Sequence, residues 1–189
     1  MNPRKLKMNS MALLMLPCIF ILAGMTSAPA VASNDRCWMT GGGSVFTATE
    51  PPVRVTHGFV LNCDVTRGPN NLEINWGGNR FHLITLTEAS CSLAGDPKPP
   101  TAGFDTYVGR GTGYYIGKDG TTDLEAEATW IFTDEGEPGT GDSAQIQISV
   151  KKEGDSDLTS VLTVSGYLTK GNQQAHGAAA ECSLGGGQG

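Results

Sequence analysis

The 189-residue chain sets 13 Lys and Arg against 19 Asp and Glu, a formal charge of −6. Nucleic-acid surfaces and polybasic membrane patches need the opposite balance, because both reward clustered Lys and Arg. Apart from one N-terminal apolar run, no stretch approaches membrane-spanning length.

That run is the first element. Arg4, Lys5 and Lys7 make a basic start, Met11 to Met25 is apolar, and no acid precedes Asp35. The run has the length of a signal-peptide hydrophobic region and is too short to span a bilayer comfortably. Ala28-Pro29-Ala30-Val31-Ala32 then offers small residues where a signal peptidase reads. Residues 1–32 are therefore expected to be a signal peptide cleaved after Ala32, with Ala30 as second choice. The mature protein is expected to be secreted or periplasmic. A retained membrane anchor is the alternative; lipid attachment would need a cysteine where Met25 follows Leu22-Ala23-Gly24. Three of the 13 basic residues and none of the 19 acids lie in this leader, so 157 residues with charge −9 remain. That length holds one domain with a real core. The acidity favours solubility and suits divalent cations.

The remaining cysteines are Cys37, Cys63, Cys91 and Cys182. An even count in an exported chain reads as two disulfides, with three pairings open. No Cys-x-x-Cys spacing supports a metal. We expect Cys63 to pair with Cys91 across neighbouring strands, and Cys37 with Cys182, tying the domain ends together.

Strand periodicity fills the interval between them. Gly41-Gly42-Gly43 leads into a strand around Val45; Ser44 behind a triglycine reads as a flexible lead-in rather than an oxyanion loop. Val53, Val55, His57 and Phe59 alternate with Arg54, Thr56 and Gly58. Leu72–Trp76 and Asn79–Thr87 follow, joined at Gly77-Gly78 by what reads as a tight hairpin. Leu86–Ala94 is open to a short helix or turn. The Phe104–Ile116 segment carries Gly109, Gly111 and Gly113 at every second place, clearing one face for a bend, a close neighbour or a covering aromatic. Isoleucine at 116 excludes a G-x-G-x-x-G phosphate loop. Ala126, Ala128, Trp130 and Phe132 share a parity, Ile146, Ile148 and Val150 another, and Val161–Val164 is β-branched. Gly, Pro, Asn and Asp punctuate the intervals. These features predict an all-β fold: an antiparallel β-sandwich of about eight strands, with a partly closed barrel as the alternative. The domain is expected over 33–176, with a Gly/Ala-rich tail over 177–189.

Several residue groups could carry chemistry. Asp134, Glu135, Glu137 and Asp142 on a glycine-flexible turn could wrap Ca²⁺, which takes six to eight oxygens; a solvated hairpin loop is the plainer reading. His57, His82 and His176 could form a zinc site only if distant segments converge. Glu125 and Glu127, roughly 6.5–7 Å apart along a strand, fall within the about 5–10 Å separation of glycosidase carboxylates. They read equally as a strand's polar face. Trp76, Tyr114 and Tyr115 could stack on a sugar ring. No G-x-S-x-G or H-E-x-x-H motif occurs.

Thr40-Gly41-Gly42-Gly43, Thr56-His57-Gly58-Phe59, Leu61-Asn62-Cys63-Asp64, Pro69–Glu73, Asn75–Leu83, Gly103–Tyr107, Phe132-Thr133-Asp134 with Gly136–Gly139, and Leu168–Asn172 with Gln174-Ala175-His176 together resemble a module of exported bacterial proteins. The resemblance runs from about residue 38 to 176. It implies a single exported β domain, occurring alone or within larger surface proteins, and no particular activity. It also implies that the Cys63–Cys91 segment and the three histidines belong to the shared pattern, with Cys37 and Cys182 outside it. The function expected is a non-catalytic module binding a cell-surface protein or a glycan. A metal-dependent or carboxylate-based hydrolase, and a structural spacer, are the alternatives.

Overall fold

The computed structural model describes residues 37–93, 102–151, 154, 157–177 and 182. The leader and most of the tail lie outside these, as does the proposed cleavage point. Among the described residues nine strands occur: β1 (Trp38–Phe46), β2 (Arg54–Asn62), β3 (Asn71–Trp76), β4 (Asn79–Ser92), β5 (Thr106–Ile116), β6 (Thr122–Thr133), β7 (Ser143–Val150), β8 (Thr159–Tyr167) and β9 (Lys170–His176). All neighbours are antiparallel, in the order β8-β7-β6-β5-β4-β3-β2-β1-β9.

The all-β, antiparallel expectation holds, in the form of one curled sheet, a half-barrel. Laid flat, nine strands would separate β8 from β9 by about 38 Å at the usual strand spacing. Yet only Leu168 and Thr169 join them, a link that reaches about 10 Å. The sheet therefore curls until its two ends meet at this corner. Eight antiparallel steps also make β8 and β9 run the same way. They are two halves of one bent strand, the first paired with β7 and the second with β1. At the bend, Thr169 N–H donates to Ser44 O (2.8 Å) while Lys170 is the register partner of Ser44. Two residues opposite one form a bulge.

The curl is also visible inside. Three strands separate β2 from β6, yet Phe59 and His57 of β2 stack on Phe132 of β6 at 4.3 and 5.0 Å between ring centroids. The glycines of β5 make room for this interior. A Cβ on Gly109 would lie 2.5 Å from the ring of Trp130, which covers that glycine. Gly111 and Gly113 press against Leu83, Thr85 O and His82 O. Gly77 and Gly78 take φ of 52° and 90° in the β3–β4 turn, values open mainly to glycine.

Two sequence expectations change. Gly41–Gly43 is no flexible lead-in; it lies within β1, between β2 and β9. A Cβ would meet Asn172 O at 2.8 Å from Gly41 and His57 O at 2.9 Å from Gly42. The segment after Leu86 is strand, not helix: β4 runs to Ser92, with register shifts at Leu83/Thr85 and Leu86/Glu88. Both expected disulfides are present, Cys37–Cys182 and Cys63–Cys91, each with Cα atoms 5.6 Å apart, but the second links the residue after β2 to β4, with β3 between them, rather than neighbouring strands. They close loops of 145 and 28 residues. On loop entropy these stabilise by about 5 and 3.5 kcal/mol. Cross-links of this kind belong to an oxidising, extracellular type of environment.

Candidate functional site

The acid-rich turn between β6 and β7 turns out to be a clamp. Asp134 and Asp142 are 4% and 0% exposed, and each carboxylate oxygen accepts a backbone N–H. Asp134 takes Gly136 (2.9 Å) and Ala175 (2.8 Å); Asp142 takes Glu135 (2.9 Å) and Gln173 (2.6 Å). Glu137 accepts the Asn172 side-chain amide at 2.9 Å. Gln173 and Ala175 belong to β9, whose edge away from β1 has no strand beside it among the described residues. The two carboxylates take that strand's place. Burial pushes the Asp142 carboxyl above its ordinary range; the Gln173 and Glu135 N–H groups pull it down, and the Asp134 and Glu137 charges push it up. Of the four acids expected to wrap a cation, Asp134 and Asp142 thus spend both carboxylate oxygens on the fold, and Glu137 spends one. Among the described residues no group of three or more His, Cys, Asp or Glu is placed to hold a metal.

The histidines do not converge. His57 points into the interior, 6% exposed, and burial pushes its imidazole down to about 4, so it is neutral at physiological pH. Its Nε2 lies 3.3 Å from Gln173 Nε2. With that amide donating, the ring proton sits on Nδ1, which has no partner among the described residues. His82 stands on the outer face of β4, 3.6 Å from a Glu73 carboxylate oxygen and beside the Tyr114 ring. His176 ends β9, its Nε2 at 2.8 Å from the Thr40 hydroxyl and its ring stacked on Trp38.

The other candidates are engaged as well. Glu127 binds Arg110 Nη2 through both oxygens (2.8 and 2.9 Å), and Glu125 pairs with Lys151 at 3.1 Å. Ser44 is 1% exposed and bonded to the Thr169 hydroxyl at 3.0 Å. Trp76 is 7% exposed and faces the core, so it packs the fold rather than offering a stacking surface. Tyr115 leans on Trp76 and donates its hydroxyl to Asn79 Oδ1 at 2.7 Å. Tyr114 is half-buried against His82.

A feature absent from the sequence reading is a groove of about 580 Å³ across the outer face of β4–β8. A twisted sheet is saddle-shaped, so its outer face can be hollow along one direction. Alternation sends Trp130, Ile146 and Val164 inward and turns their neighbours Thr129, Gln145, Gln147, Thr163 and Ser165 into the groove. Val108, 42% exposed, and Ile131 form an apolar patch. Arg110 is pinned beside it by Glu127 and reaches Glu88 Oε1 at 3.4 Å. Each residue is an ordinary outward-facing strand position. Only the strand order sets them side by side, and no motif announces that. Comparison with family models, with curated proteins and with solved structures returns no match.

Proposed function

We propose that the protein is an exported, non-catalytic binding module whose outer groove takes a stretch of glycan chain. The groove carries this reading. Gln145 and Gln147 on β7, Thr129 on β6, and Thr163 and Ser165 on β8 offer neutral hydroxyl and amide groups across three adjacent strands. Such groups match sugar hydroxyls in both donor and acceptor roles. Val108 and Ile131 suit the C–H faces of a sugar ring, and Arg110 is held in place by Glu127 before any ligand arrives. Two disulfides and the signal-like leader support export. The engagement of Glu125, Glu127 and Ser44 in ion pairs and hydrogen bonds supports a binding rather than a catalytic role.

The test is a glycan-array screen of the oxidised protein, followed by calorimetry on the best oligosaccharide. Gln145→Ala combined with Gln147→Ala is expected to weaken binding by about 2 kcal/mol, roughly thirtyfold, with the melting temperature held. An array without hits, or affinity untouched by the double substitution, would overturn the reading.

A further inference from the structure

We propose that the protein self-associates through the free edge of β8, two copies pairing antiparallel so that their sheets join. Among the described residues β8 ends the sheet and pairs only with β7. Leu168 N–H donates to Asp142 O on the β7 side (2.8 Å). Alternation along the strand then turns the backbone groups of Thr163, Ser165 and Tyr167 to the other side. Among the described residues no backbone hydrogen bond reaches that side of these three.

The composition of this edge sets it apart. Thr159–Tyr167 reads Thr-Ser-Val-Leu-Thr-Val-Ser-Gly-Tyr, with no charge and no proline. Those are the residues by which sheet edges normally refuse a second strand. β9, the other end of the sheet, has its free edge closed by Asp134 and Asp142. Tyr167, at the end of the open edge, is 73% exposed.

Charge selects a second copy as the occupant. The chain carries −6, so a self-contact through any acidic strand would set like charges opposite each other. A neutral edge removes that repulsion and offers a charged foreign strand nothing to pair with. In a two-fold arrangement centred on Thr163, that residue meets its own copy, Ser165 meets Val161, and Tyr167 covers Thr159. All are hydroxyl, aromatic or β-branched pairings of the kind that stabilise sheets. Thr163 and Ser165 also line the outer groove, so pairing sets two grooves side by side.

Sedimentation equilibrium of the oxidised protein tests this. An edge pair buries less than a standard interface, so half-dimerisation is expected at roughly 100 µM. Thr163→Pro deletes an N–H that β7 does not use, and Tyr167→Lys places a cation at the edge. Both are expected to remain monomeric at ten times that concentration, with circular dichroism unchanged. If the proline variant misfolds, the lysine variant decides alone. Wild-type protein that stays monomeric near 1 mM, or variants that dimerise as the wild type does, would overturn the proposal.

Discussion

β8 and β9 are halves of one bent strand, yet they are held in different ways. β8 follows the ordinary rule: Leu162 and Val164 point into the core, Thr163 and Ser165 point out, and a single ladder to β7 suffices. β9 has no such pattern. Its sequence, Lys-Gly-Asn-Gln-Gln-Ala-His, contains no β-branched residue and has low strand propensity. It becomes a strand because β1 pairs with one edge and two buried aspartates pair with the other. Backbone groups need partners, and carboxylates can supply them as a neighbouring strand would. A strand can therefore be built by its surroundings rather than by its own residues.

The largest expected effect comes from acid, through the interior contact of β9 with His57. The imidazole falls from an ordinary 6.5 to about 4 in the folded state. Between those values the unfolded chain takes up a proton that the folded chain refuses. The stability from this group is fully present above pH 6.5 and is lost as pH falls to 4, about 3 kcal/mol in all. Asp142, with its carboxyl raised, works in the opposite sense because its folded form takes up a proton more readily. Urea unfolding from pH 7 to 4 on wild type and His57→Phe isolates the histidine. The phenylalanine variant is expected to lose about 3 kcal/mol less over that range, and parallel pH curves would contradict the assignment.

Two glycines sharpen the contrast on a smaller scale. Gly171 in β9 sits at φ 115°, and an added Cβ would overlap Gly42 O. Gly166 in β8 has open space where a Cβ would go. Gly171→Ala is expected to destabilise by about 2–3 kcal/mol, Gly166→Ala by less than about 0.5. Thermal melts check both; equal effects would mean that β9 is no more constrained than β8.

The same contrast explains what could be read in advance. Residues 145–150 and 161–164 alternate or branch as strands do, and alternation depends only on local sequence. The spacing of Gly109, Gly111 and Gly113 announced a cleared face, and Trp130 covers Gly109. Both cysteine pairs were legible from the even count and from their positions, one closing a short segment and the other tying the domain ends together. β9 was not legible, since its partners lie about 30 or more residues away and its own residues are polar. For the same reason Asp134 and Asp142 read as cation ligands: composition shows carboxylates, and only the fold shows the N–H groups they accept. The groove stayed hidden because its side chains come from five strands, each with an unremarkable polar face.

Amide hydrogen exchange at low micromolar concentration, where the protein is monomeric, bears most directly on the two edges. Gln173 and Ala175 N–H donate to buried carboxylates, whereas Thr163, Ser165 and Tyr167 N–H face outward from β8. The expected result is slow exchange at Gln173 and Ala175, close to that of the central strands, and fast exchange at Thr163, Ser165 and Tyr167. Fast exchange at Gln173 and Ala175, or equal protection of the two sets, would contradict a sheet closed by aspartates at one end and open at the other.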